Sequence, residues 1–159
     1  MHGHAILGIS LGSRSLGIAV MRNGKLLDWQ VKSFAEAMAP QKLHMITGAV
    51  MRVVKEYDVG SVSIKLPVAF EMHTNLVALK RHLFKVLAAW SIPIHSYPLS
   101  DIKRALGDAV CNKEQLATCI ATLYPELRFV YLKEQQARNP YYRKLFEAVA
   151  VLHIRITST

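Results

Sequence analysis

The sequence predicts a mixed α/β fold, a five-stranded sheet flanked by helices, and three observations carry that prediction. The first part of the chain reads as three consecutive apolar strands. The middle alternates helical with strand periodicity, and helices dominate the last part. A mixed sheet covered by helices buries the apolar face of each of these elements.

The elements follow in order. Ala5 to Ser10 reads as a buried strand, Leu16 to Met21 as a second and Lys25 to Lys32 as a third. Asn23-Gly24 between the last two is a two-residue hairpin signal, because both residue types tolerate positive φ. From Met38 to Tyr57, Leu43, Ile46, Val50, Val53 and Val54 recur at helical spacing. Val59 to Leu66 predicts a strand stopped by Pro67. Asn75 to Trp90 carries Leu76, Leu79, Leu83, Val86 and Leu87 on one helical stripe, and Ile92 to Ser96 reads as a short strand. A helix opens at Pro98-Leu99-Ser100-Asp101 and ends near Gly107. Asn112 suits the N-cap of a helix over Lys113 to Leu123, with Gln115 at its third position and Pro125 closing it. Leu127 to Pro140 is charged and weakly patterned and predicts a loop. Tyr141 to Ile154 predicts a final amphipathic helix.

With 159 residues, 52% of them hydrophobic and 19% charged, the chain has enough apolar material for a core and is expected to form one domain, residues 1–159. No apolar run reaches the roughly 18 residues of a membrane span, and a signal-peptide layout is absent, so a soluble cytoplasmic protein without membrane partners is expected. Cys111 and Cys119 would sit roughly 12 Å apart by helical rise, too far for a disulfide and unlike any zinc spacing. His2 and His4 are expected in a mobile terminus, and none of the seven histidines has metal-ligand spacing. The net charge of +9 suits a polyanion such as nucleic acid. It is distributed, with clusters at Lys80, Arg81 and Lys85, at Lys103 and Arg104, and at Arg138, Arg143 and Lys144.

Four segments carry a further signal: "ILGISLGSRSLGIAV" (Ile6 to Val20), "VSIKLP" (Val62 to Pro67), "YPLSDIKRALGDAVCNKEQLATCIATLYPEL" (Tyr97 to Leu127) and "LFEAVAVLHI" (Leu145 to Ile154). In this order they resemble the RuvC-type Holliday junction resolvases of the ribonuclease H-like superfamily. The third segment is the most distinctive in its letters. The resemblance implies a ribonuclease H-like sheet, a dimer, and a metal-dependent crossover-junction endodeoxyribonuclease of DNA recombination and repair. It also implies four carboxylates holding two divalent ions. Carried over position by position, the family's acids fall on Ser10, Lys65, Lys144 and Glu147, of which one is acidic. A hydroxyl is a poor bridging ligand, and an ammonium group repels the cations it replaces. Lys65 and Glu147 could instead pair across the pocket.

The leading expectation is therefore a RuvC-like protein that binds branched or duplex DNA without cleaving it and needs no cofactor. One alternative is a divergent Mg²⁺- or Mn²⁺-dependent nuclease using displaced acids, Glu71 first, with Asp101 and Glu114 as weaker substitutes. Another is a protein-interaction or dimerisation module. Candidate nucleic-acid contacts are Ser13 and Arg14 in the first turn, Phe70 as a base-stacking side chain, and Lys80, Arg81, Lys103, Arg104, Arg143 and Lys144 on helices that could line the pocket. Each has a plainer reading: a simple turn for Ser13 and Arg14, core packing for Phe70, solvated helix faces for the bases. Tyr141 and Tyr142 beside Arg143 could serve either nucleic acid or the packing of the final helix.

Overall fold

The computed structural model describes residues 3–12, 15–33, 40–67, 74–107, 112–136 and 142–157. Strands β1 (Ala5–Leu11), β2 (Ser15–Arg22) and β3 (Lys25–Ser33) form an antiparallel meander. Strands β4 (Val59–Lys65) and β5 (Ile94–Ser96) add on in parallel, giving the order β3-β2-β1-β4-β5. The β2–β3 turn is the predicted one, with φ of 53° at Asn23 and 78° at Gly24.

Period-two alternation splits the sheet's residues between two cores. Leu7, Ile9 and Leu11 of β1, Leu16, Ile18 and Val20 of β2, and Val62 and Ile64 of β4 share one core with the helices α1 (Pro40–Glu56) and α2 (Thr74–Ala89). Ala19 and Met21 share the other with α3 (Leu99–Leu106), α4 (Lys113–Leu123) and α6 (Arg143–Thr157). Helix α6 lies between the sheet and the outer helices. That position explains why nine consecutive or near-consecutive side chains from Leu145 to Ile154 are buried, in place of a single stripe.

Gly8 and Gly17 permit this close approach. A Cβ at Gly17 would collide with the Lys144 carbonyl, and one at Gly8 with the Ala148 carbonyl. These two contacts also fix direction: α6 runs antiparallel to β1, so its N-terminus lies over the C-terminal ends of β1 and β4.

Several boundaries differ from expectation. β4 ends at Lys65, β5 starts only after Pro93, and α6 runs on to Thr157. The segment from Leu127, predicted as a loop, instead forms a 3-10 turn, Pro125–Leu127, followed by helix α5 (Arg128–Gln136). No α5 side chain is fully buried, so the helix has no apolar stripe to betray it. His4 lies against Gly60, with Nδ1 3.6 Å from Asp58 and its side chain 74% exposed. Asn112 does cap α4, accepting a 2.8 Å hydrogen bond from the Gln115 N–H. No helix among the described residues is long and apolar enough to cross a membrane.

Candidate functional site

Ser10 and Lys65 are paired in register on adjacent parallel strands. Both lie opposite in pleat to the Ile9 and Ile64 core, on the face that α6 covers. Lys144 stands in the first turn of α6 and Glu147 three residues on, which sets their side chains on one helix face.

All four converge on a single atom. Glu147 Oε2 accepts from Ser10 Oγ at 2.7 Å, from Lys65 Nζ at 3.0 Å and from Lys144 Nζ at 3.1 Å. The group is graded in depth: the Glu147 side chain is 1% exposed, Lys65 7% and Lys144 17%. Gly12 makes room for Lys144, since a Cβ there would strike Lys144 Cε. Burial by itself would raise the Glu147 pKa. The ammonium groups of Lys144 and Lys65 and the Ser10 hydroxyl outweigh it, and hold the carboxyl below the usual carboxylate range.

Glu147 Oε1, in contrast, is buried with no hydrogen-bond partner among the described residues. Glu134 of α5 brings a second, half-buried carboxyl to this corner, with Oε2 also buried and unpartnered. Burial raises the Glu134 pKa; Arg143 opposes the rise and the negative charge of Glu147 adds to it. Tyr131 anchors α5 here by an edge-to-face contact with Phe146, the ring centroids 6.3 Å apart. Sequence reasoning missed Glu134 because it lies in the segment expected to be a loop.

The residues present do not fit a two-metal centre. Glu147 is the sole acid at the four carried-over positions, and its better-placed oxygen is already saturated by three donors. Two ammonium groups occupy the space where divalent ions would need carboxylates. Among the described residues no three His, Cys, Asp or Glu side chains are grouped to hold a metal ion.

The remaining candidates fall in different places. Ser13, Arg14, Phe70, Glu71, Cys111 and Tyr141 lie outside the described residues. Arg143 adjoins the cluster on α6. Lys103 and Arg104 belong to α3, which packs on the α6 side through Ile102; Arg104 pairs on the surface with Asp101 at 3.5 Å. Lys80 and Arg81 belong to α2, on the opposite face of the sheet, so they do not line the pocket as expected. Lys80 instead lies over the Phe84 ring, 5.6 Å from its centroid. Asp101 and Glu114 stand in the first turns of α3 and α4. Tyr142 packs against the α6 core, and its carbonyl accepts from the Leu145 and Phe146 N–H groups. Cys119 is a half-buried free thiol whose pKa burial raises, which suppresses its reactivity.

No protein-family model and no curated protein matches the sequence. Solved structures do match. Thermus thermophilus RuvC superposes with a TM-score of 0.71 over 98% of this chain and 97% of its own, at 18% identity. The fold is that of a RuvC-type resolvase. The same T. thermophilus RuvC in complex with a Holliday junction substrate gives a TM-score of 0.69 over 99% and 98% of the two chains, also at 18% identity. The yeast mitochondrial Holliday junction resolvase Ydc2 gives 0.55 over 92% and 75%, at 9% identity. The RuvC-type, ribonuclease H-like architecture thus covers nearly the whole chain, with the Ser10, Lys65, Lys144 and Glu147 cluster at the C-terminal ends of its central strands.

Proposed function

We propose that this chain is a RuvC-like nucleic-acid-binding protein that binds branched or duplex DNA and does not cleave it. The observation that carries the reading is the convergence of Lys65 and Lys144 on Glu147 Oε2. Phosphodiester hydrolysis by two metals needs an activated water and a stabilised leaving oxygen, and divalent ions supply both. A cluster with one carboxylate, one of its oxygens already taken by three donors, and two fixed ammonium groups gives such ions no ligand set. The net charge of +9 and the likeness to a fold also found bound to a Holliday junction substrate support the binding half of the proposal. The same reading takes the chain as a single cytoplasmic domain acting as a homodimer without a metal cofactor.

The test is incubation of purified protein with a labelled four-way junction in Mg²⁺ or Mn²⁺. Retardation without symmetric nicking is expected. Nicking that disappears in Glu147→Ala or Glu71→Ala overturns the reading in favour of a divergent nuclease.

A further inference from the structure

We propose that the outer face of α5 is a stacking platform for unpaired nucleotides, with Phe129 taking a base and Arg128 and Lys133 the flanking phosphates. This inference rests on the nucleic-acid reading above and deepens it. It names the part of a branched substrate that the chain prefers, unpaired nucleotides over fully paired ones.

The helix is built inside out. Its one acid turns inward: Glu134 is half-buried with Oε2 closed to solvent, and Val130 and Tyr131 are half-buried with it. Its large apolar side chains turn outward, Phe129 68% and Leu132 48% exposed. With 3.6 residues per turn, Arg128, Leu132, Phe129 and Lys133 follow one another round an arc of about 140°. All four are exposed, so two apolar side chains lie between two cations. Lys133 Nζ lies over the Phe129 ring, 4.7 Å from its centroid, which sets a positive charge against the ring while leaving much of it open. The nearest other acid in sequence, Glu126, belongs to the preceding 3-10 turn.

Size and charge choose the occupant. Nine residues make a helix about 13 Å long. A face of that length falls far short of the roughly 800 Å² per partner of a stable protein interface. Phe129 and Leu132 are separated by about 4.5 Å along the helix axis. That is close to the roughly 3.4 Å between successive nucleotides of one strand. An aromatic ring with cations on both sides matches a nucleotide in kind, since a base offers an apolar face and carries a phosphate on either side. The net charge of +9 favours the approach of a polyanion. Bases inside a duplex are stacked on one another and hide their faces, so an exposed ring selects unpaired ones. The position agrees with this use. Tyr131 seats α5 on Phe146 of α6, and Glu134 sits at the corner of the Glu147 cluster.

The experiment measures binding of three labelled probes of related sequence: a plain duplex, the duplex with a single-stranded overhang, and the single strand. Each is titrated across a salt series. Wild type is compared with Phe129→Ala, Phe129→Tyr, Arg128→Met and, as an exposed apolar control on β3, Leu27→Ala. Aromatic NMR signals of Phe129, assigned by their loss in Phe129→Ala, are followed as the single strand is added to wild type. We expect Phe129→Ala to weaken the overhang and single-strand probes about tenfold, the loss of one stacked base. Its duplex affinity and its salt slope should not change, because no charge is removed. Phe129→Tyr should restore binding, and Leu27→Ala should bind as wild type does. Arg128→Met should flatten the single-strand slope of log K against log[salt] by about 0.7, one phosphate contact. The Phe129 ring signals should move upfield under the ring current of a stacked base. Wild-type binding to duplex together with no loss in Phe129→Ala, or with equal loss on all three probes, overturns the platform and leaves the nucleic-acid reading intact. Phe129 signals that stay in place while the single strand binds also overturn it. A wild-type dimer that Phe129→Ala separates in sedimentation without nucleic acid overturns it in favour of a contact between copies. Absence of wild-type binding to every probe at low salt overturns the nucleic-acid reading and this inference with it.

Discussion

Lys65 Nζ lies 3.0 Å from Glu147 Oε2, a strand and a helix distant by 82 residues in sequence joined by a pair almost closed to solvent. Desolvating two such groups costs several kcal/mol each, and their attraction only roughly repays it. The asymmetry on mutation is what the pair predicts. Glu147→Leu leaves Lys65 buried without its carboxylate and should cost about 3–5 kcal/mol. Adding Lys65→Met to that variant should recover a large part of the loss, because no buried charge then remains on β4. Denaturant unfolding of both singles and the double gives the coupling directly. Additive costs would mean that the two side chains do not interact in solution.

The same carboxyl predicts a direction with pH. Its folded pKa is held below its unfolded value, so its contribution to stability is fully present above the ordinary carboxylate pKa. That contribution is lost as pH falls through the lowered folded value. Melting temperature should therefore drop on the acid side of the usual carboxylate range, and Glu147→Gln should show a shallower drop. His153 adds a second window at higher pH. Its folded pKa lies below the usual 6.5 because it is buried, with Nδ1 2.8 Å from the Tyr124 hydroxyl. Stability should decline as pH falls below that value, and His153→Gln should lose this part of the profile alone.

The glycines separate close approach from mere permissiveness. At Gly17 an added methyl meets the Lys144 carbonyl carbon and oxygen and the Leu145 nitrogen, all backbone. Gly17→Ala should lift the N-terminal turn of α6 from the sheet and cost about 1–3 kcal/mol or more, the range for overpacking. Gly48 lies within α1 with nothing near its missing Cβ. Gly48→Ala should be stabilising by about 0.5–1 kcal/mol through helix propensity. Equal effects at the two positions in thermal melts would count against the packing of α6 described here.

How far the sequence could be read depended on whether each element leaves a pattern. The Asn23-Gly24 turn and the Asn112 cap depend on chemistry confined to a few neighbouring residues, and both are present. Helix α5 depends on tertiary support: Tyr131 on Phe146 holds it, while Phe129 is 68% exposed and Leu132 also faces solvent. Periodicity had nothing to detect there. At the site, the carried-over positions Ser10, Lys65, Lys144 and Glu147 do converge, because strand register and the three-residue helical spacing fix them. That all three donors choose one oxygen, and that Glu134 joins from α5, are consequences of packing that no spacing encodes.

If the four positions share one pocket, restoring acids should restore metal affinity. Ser10→Asp, Lys65→Glu and Lys144→Asp, combined with native Glu147, place four carboxylates where three donors now meet one. Hard oxygen ligands in that number are what Mg²⁺ and Mn²⁺ require. The triple variant should bind Mn²⁺ by calorimetry, where the wild type should give no heat of binding. Four close carboxylates repel one another without the ion, so the variant should melt lower than wild type in EDTA and recover on adding Mn²⁺, a shift that grows with metal concentration by mass action. The wild type should melt alike in both conditions, its charges being internal. A triple variant that is folded yet gains neither heat nor melting temperature from Mn²⁺ would show that the four side chains do not converge in solution.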